Sequence, residues 1–375
     1  MRYLYYCATP FQVLNAMNMH FQRVIYKSTE DVHADIVIEE QFRDAQLLID
    51  ALKKESVFER VFHLKKEDRK AQKNNRWKLV GIGLDMIFPR WLLHRQIVEG
   101  SAKDLCRNYD YVIASVLPHT VSNLRTINPN SEFIMMDDGV GSYFGDIVHK
   151  SRSAQYLKLL SWINHGKEMG VPKALYVNSP EMCSSQLTDQ VLPLPRFSKE
   201  FLELAYRVFR FPEEIPRYDR LIIWLSQTTT DKYLFPSMKM AEKLLPYKEQ
   251  VIVRLHPREK NVELYQGFEL DNQGLMWELQ LSKISLENKM LVSFSSTAQF
   301  NPKLLYGQEP WLLFGFKLLG EEENESSREL MKLIEKMKEH YAYSERVWVP
   351  ETWEEFELII KRFIEERQNT HCEGK

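Results

Sequence analysis

The sequence is poor in cysteine, and what it has is scattered. Cys7, Cys106, Cys183 and Cys372 are the four. None forms a Cys-x-x-Cys pair or joins a Cys/His cluster, which excludes the common zinc spacings and a disulfide framework. Free thiols fit a reducing compartment. No run of about 18 apolar residues occurs, so no spanning helix is expected. The opening MRYLYYCATP enters a strand pattern at once and lacks the apolar core of a secretory leader. These absences lead us to expect a cytoplasmic protein. A strong charge of either sign is also missing: the net charge is −2, so no nucleic-acid partner is expected. There is no internal repeat and no low-complexity tract.

What is present is a chain of 375 residues, 44% hydrophobic, 27% charged and 12% aromatic. That length exceeds what one hydrophobic core usually serves, so two domains are expected. Strand and helix patterns alternate almost throughout. Strands are predicted at Tyr3–Ala8, Ala34–Glu39, Val61–Leu64, Tyr111–Val116, Phe133–Met136, Leu221–Leu225, Val251–Leu255, Met290–Phe294 and Trp311–Phe314. Helices are predicted at Phe11–Tyr26, Phe42–Leu52, Trp77–Leu105 with a break near Pro89, Thr120–Thr126, Gln155–Asn164, Lys199–Phe209, Met238–Leu245, Trp277–Leu286, Ser327–His340 and Trp353–Glu366. Extended pieces are expected near Ala174–Val177 and Gln190–Leu194. Such alternation implies parallel sheets covered on both faces, an α/β fold. Residues 1–210 form the expected first Rossmann-like domain and 217–350 the second, joined by the proline-punctuated stretch Phe211–Pro216. Residues 351–375 are expected as a helix that packs back on the first domain. Two doubly wound halves facing a cleft is the resulting architecture, with ligands beyond the carboxyl ends of the strands.

Five strand ends collect reactive residue types. Asp137-Asp138-Gly139 follows an apolar strand; adjacent carboxylates raise each other's pKa and can share a proton, although a plain Asp-Gly turn explains the same letters. Ser226-Gln227-Thr228-Thr229-Thr230-Asp231-Lys232 offers hydroxyls for an anion and, in Asp231, a candidate general base; the plain alternative is a helix cap. Val251–Val253 runs into Arg254-Leu255-His256-Pro257-Arg258. His256 suits a departing phosphate, Pro257 restricts its backbone, and Arg258 adds a fixed cation; an exposed strand-end histidine is the alternative. Ser293-Phe294-Ser295-Ser296-Thr297 offers a hydroxyl-and-amide phosphate cradle, with N-capping as the compatible alternative. Thr9 and Gln12, in Ala8-Thr9-Pro10-Phe11-Gln12, offer polar contacts in what is otherwise a proline-started helix.

Taken in order, the TPFQ loop, the DDG, the SxxxxDK loop, HPR and FSSTA resemble bacterial lipooligosaccharide and capsule sialyltransferases, closest to glycosyltransferase family 52. The resemblance runs from Tyr5 to about Leu305. It implies a GT-B fold and an inverting transfer of sialic acid from CMP-sialic acid to a sugar hydroxyl of a surface glycan, without a metal or other cofactor. By that resemblance Asp231 is the base, His256 assists the leaving phosphate, and Ser295 with its neighbours holds it. In related sialyltransferase families the base comes from the acidic-acidic-Gly motif, here Asp137 or Asp138, so both placements stand. The chain departs from the family in Ser296-Thr297, where some members carry smaller residues, and in lacking an N-terminal anchor. Two alternatives remain: a GT-B transferase with another donor, such as a different nucleotide sugar or CDP-glycerol, and a GT-B-shaped binding subunit without turnover.

The basic stretch Arg69–Lys78 leads into the apolar and aromatic Val80–Leu93. Such a segment could seat the protein on the inner face of an anionic membrane near a lipid-linked acceptor; a solvated loop feeding a core helix is the alternative. The expected partners are thus a CMP-activated donor, a glycan acceptor and a peripheral membrane surface, with a homodimer as a further candidate.

Overall fold

The computed structural model describes residues 1–23, 32–42, 44–65, 89–116, 119–144, 171–184, 187–215, 218–320 and 324–373. The chain divides into two compact units, Met1–Phe211 and Pro212–Lys375.

The first unit is built on eight strands: β1 (Arg2–Cys7), β2 (His33–Glu40), β3 (Arg60–Lys65), β4 (Ile97–Glu99), β5 (Tyr111–Ala114), β6 (Glu132–Met136), β7 (Ala174–Val177) and β8 (Val191–Pro193). Their order is β4-β3-β2-β1-β5-β6-β7-β8. Every pairing is parallel except β3 with β4. β1 is central, and its run Tyr3–Cys7 is fully buried, as expected of a strand covered on both faces. Tyr3 pairs with Tyr111 of β5, and the two rings stack with centroids 5.1 Å apart. The chain leaves β1 toward β2 and β3, then returns to β5 on the other side. The topological switch point therefore lies between β1 and β5.

The second unit holds β9 (Ile222–Leu225), β10 (Val251–Arg254), β11 (Glu269–Asp271), β12 (Met290–Ser293), β13 (Trp311–Phe314) and β14 (Val347–Trp348), all parallel, in the order β11-β10-β9-β12-β13-β14. Its switch point lies between β9 and β12. Trp224 of β9 is buried under Tyr265 and Phe268, each meeting it edge-on. The last helix, Trp353–Glu373, contributes Phe356, Ile359, Ile360, Phe363 and Ile364 to this core, the i, i+3, i+4, i+7 stripe of an amphipathic helix. The sequence reading allowed that helix to pack on the first domain; its apolar stripe is used by the second unit instead.

Three strands escaped the sequence reading, β4, β11 and β14, with two or three residues each; β4 lies where the helix Trp77–Leu105 was expected, and β7 and β8 were expected only as extended pieces. The helix expected from Met238 starts earlier, at Asp231, and carries Pro236 inside it. The expected Trp277–Leu286 helix is one turn, Trp277–Gln280. The predicted helix Gln155–Asn164 and the basic stretch Arg69–Lys78 lie outside the described residues. Pro89 begins a helix, Pro89–Gln96, where its missing N–H costs nothing. Among the described residues, no helix is long and apolar enough to cross a membrane, and no group of three His, Cys, Asp or Glu side chains could hold a metal ion.

Candidate functional site

Two clusters of polar side chains form, one at the carboxyl ends of the strands in each unit.

In the first unit the Thr9–Gln12 and Asp137–Gly139 loops, read separately from the sequence, are bonded to each other. Thr9 caps the helix Pro10–Phe21, its hydroxyl accepting from the Gln12 amide at 3.3 Å. The Gln12 side chain, 2% exposed, accepts from the Ala8 amide at 2.6 Å and donates from Nε2 to Asp138 Oδ1 at 2.7 Å. Because a backbone N–H can only donate, the Ala8 contact fixes which end of the Gln12 amide is oxygen. Asn15, one turn along, donates to the Asp137 carbonyl at 3.0 Å.

The two carboxylates have different surroundings. Asp137 is 1% exposed. Its Oδ1 accepts from the Gly139 amide at 2.7 Å; its Oδ2 accepts from the Tyr143 hydroxyl (2.7 Å), the Asn178 amide (3.0 Å) and Asn178 Nδ2 (2.8 Å). Burial raises its pKa above the ordinary carboxylate value, against the pull of these donors. With four donors and almost no exposure, Asp137 anchors its own loop. Asp138 is half-buried, and its Oδ2 has no partner among the described residues. Burial raises its pKa, the Gln12 hydrogen bond opposes that, and the neighbouring Asp137 adds to it. Gly139 adopts φ 89°, ψ −152°, a region open almost only to glycine. It makes the turn; no ligand contact is needed to explain it.

In the second unit the loops after β9, β10 and β12 meet. The Ser226 hydroxyl, buried, accepts from the His256 amide at 2.8 Å. His256 Nδ1 accepts from the Arg258 amide at 3.1 Å and lies 3.1 Å from the Thr228 hydroxyl. The Arg258 amide is an obligate donor, so Nδ1 is an acceptor and neutral His256 carries its proton on Nε2. Burial lowers the His256 pKa, the Arg258 charge lowers it further, and Glu259 opposes them. Protonating Nδ1 would also break the bond from the Arg258 amide. Pro257 and Arg258 are exposed, and the Arg258 guanidinium has no partner among the described residues.

The two arginines flanking His256 thus divide. Arg254 pairs with Asp271 at 2.6 Å, donates to the Tyr218 hydroxyl, Gln280 Oε1 and the Leu275 carbonyl, and lies over the Trp277 ring. It is a fully engaged scaffold; Arg258 is the available cation.

Gln227 Nε2 reaches Ser295 Oγ at 3.2 Å, bridging the loops after β9 and β12 at the switch point, and its Oε1 is buried without a partner among the described residues. Ser296 accepts from the Ala298 amide at 3.3 Å, capping a three-residue 3-10 turn, Thr297–Gln299. That turn leads into the short helix Asn301–Tyr306, and the Ser296 hydroxyl serves as a cap. Ser295 is half-buried and Thr297 exposed. Asp231 is the exposed first residue of its helix, and its carboxylate has no hydrogen-bond partner among the described residues; a negative charge is favourable there.

Sequence reasoning missed Glu259. Its Oε2 accepts from the Thr229 amide (2.8 Å) and hydroxyl (2.7 Å), its Oε1 from the amides of Lys260 and Asn261 (both 2.7 Å). Burial raises its pKa, but these hydrogen bonds outweigh it and hold it below the ordinary value. Its place directly after His-Pro-Arg was the only available signal. Asn178 and Tyr143, the partners of Asp137, gave none.

No protein-family model matches the chain, and no curated protein sequence does. Solved structures are similar in fold. The GT-B domain of a sialyltransferase from Photobacterium damselae, residues 113–497, is 12% identical with a TM-score of 0.51, covering 93% of this chain and 100% of that one. The calicheamicin glycosyltransferase CalG4 is 12% identical with a TM-score of 0.50, covering 97% of this chain and 89% of that one. The fold is GT-B.

Proposed function

We propose that the chain is a glycosyltransferase that moves a sugar from a nucleotide-activated donor to a hydroxyl of a glycan, and that the donor is CMP-sialic acid. The observation that carries this reading is His256: a neutral imidazole whose Nδ1 is committed to the Arg258 amide, leaving Nε2–H, without a partner among the described residues, to donate. Beside it stands the Arg258 guanidinium, which has no partner among the described residues. A hydrogen-bond donor and a cation at the end of a central strand suit the phosphate of a leaving nucleotide.

In this reading the acceptor oxygen forms a bond to the anomeric carbon while the bond from that carbon to the CMP phosphate breaks. The acceptor proton passes to Asp138, whose Oδ2 has no partner among the described residues and whose raised pKa suits a base. The electron pair of the broken bond stays on the phosphate, which receives the hydrogen bond from His256 and the charge of Arg258. Ser295 and Gln227 are the polar contacts assigned to the donor, with Thr297 at its margin. Asp231 is the second candidate base; its exposure and lack of an orienting bond among the described residues favour Asp138. This arrangement needs no metal, because Arg258 and His256 supply the charge and the donor. A surface glycan, such as lipooligosaccharide or a capsular polysaccharide, is the acceptor class that goes with sialic acid.

Calorimetric titration with CMP, CDP, UDP and GDP without metal tests the donor. Selective CMP binding supports sialyl transfer. A preference for CDP favours glycerol-phosphate transfer, and UDP or GDP points to another nucleotide sugar. Binding without turnover would make the chain a binding subunit.

A further inference from the structure

We infer that Glu259 is a positioning residue, which fixes the His256 ring in its Nε2–H form by tying the loop after β9 to the loop after β10. The inference rests on the role proposed above for His256. Among the described residues, four side-chain hydrogen bonds join these loops: His256 amide to Ser226 Oγ (2.8 Å), Thr228 Oγ1 with His256 Nδ1 (3.1 Å), and the Thr229 amide and hydroxyl to Glu259 Oε2 (2.8 and 2.7 Å). Only the two to Glu259 are charge-assisted, and such bonds are roughly twice as strong as neutral ones.

The carboxylate uses its two oxygens for two different tasks. Oε2 holds the β9 loop through Thr229. Oε1 collects the amides of Lys260 and Asn261 and so sets the turn on which the Arg258 amide is presented to Nδ1, with the Glu259 amide donating to the His256 carbonyl at 2.8 Å. A glutamine cannot do both. Its oxygen can serve one pair of donors, and its NH₂ then faces at least one backbone N–H as donor against donor, the Thr229 amide on one side or the Lys260 and Asn261 amides on the other. Thr228, next to Thr229, sets the remaining contact on the ring, so release of Thr229 also releases Thr228. Thus one side chain controls both groups that meet Nδ1. A ring freed from them can exchange tautomers or turn, and either change withdraws the Nε2–H from a leaving phosphate.

The test is the tautomer of His256 in the full chain labelled with ¹⁵N-histidine, read by long-range proton–nitrogen correlation and assigned with His256→Ala. Wild type is expected to show the Nε2–H form alone. Glu259→Gln should give a mixture of tautomers and lower kcat about 10- to 100-fold, as for a misplaced catalytic group, with KM for the donor little changed. Thr229→Val removes one donor to the same carboxylate with little change of shape. It should move both readouts the same way by less, and it serves if Glu259→Gln does not fold. Wild-type Nδ1–H, or variants that keep the wild-type tautomer while losing turnover, would overturn the inference. The tautomer is read without any substrate, so a chain that transfers no sugar would defeat the proposed function and leave this measurement decisive.

Discussion

Gln12 and Asp138, far apart in sequence, are joined by a hydrogen bond of 2.7 Å whose direction is fixed, because the other end of the Gln12 amide accepts from Ala8. The bond stabilises the ionised form of a carboxyl that burial pushes the other way. In Gln12→Leu that stabilisation is gone, so the pKa of Asp138 rises further. If Asp138 must be ionised to take the acceptor proton, the acidic limb of kcat/KM should move to higher pH. A pH–rate profile of the variant checks this; an unmoved limb would separate Gln12 from the titrating group.

The competing bases are distinguished by single substitutions. Asp138→Asn should lower kcat by about 10²- to 10⁴-fold, the usual contribution of a general base. Asp231→Asn should change it little, since that residue is exposed at a helix start. The reverse result would move the base to the second unit.

His256→Ala should lower kcat by a similar factor of about 10² to 10⁴, while nucleotide binding measured by calorimetry persists. The His256 pKa lies below its ordinary value, so the neutral form prevails at pH 7. A step needing imidazolium would accelerate as pH falls through that pKa. A step needing Nε2–H of the neutral ring would not, and no acceleration is expected.

Asp137→Asn tests the anchor role. The amide presents an NH₂ to donors that now share one carboxylate, so a loss of about 3 kcal/mol is expected, read as a lowered melting temperature. The folded carboxyl has a raised pKa, so its stabilising contribution is complete below the unfolded value and falls as pH rises through the folded one. The variant should lack that component of the pH dependence.

Phe356→Ala should destabilise the second unit by about 3–5 kcal/mol, because the side chain is fully buried in its core. Denaturant unfolding measures it.

The central strands were legible because a strand buried on both faces is a continuous apolar run, as in Tyr3–Cys7 and Val251–Val253. The edge strands β11 and β14 were not; two or three residues carry no period. Pro236 hid the first turns of the helix Asp231–Leu244, since a proline so near the start removes only one helical bond. The Trp277 helix looked longer because Leu279, Leu281 and Ile284 are apolar. In the fold their carbonyls are taken by Ser282 and Gln308 side chains, which end the helix. The candidate site was read from residue types at strand ends. The split between Asp137 and Asp138 was not, because it depends on Asn178 and Tyr143. Nor was the proton position on His256, which depends on how the chain turns at Arg258.

The reversed strand β4 has a consequence for self-association. A parallel sheet that ended at β3 would offer six residues of unpaired backbone, a template for another chain. β4 covers part of that rim with three residues and ends on Glu99, which pairs with Lys53. An incoming strand would find a short rung bearing a charge, and sheet-to-sheet polymerisation along this border is disfavoured by construction.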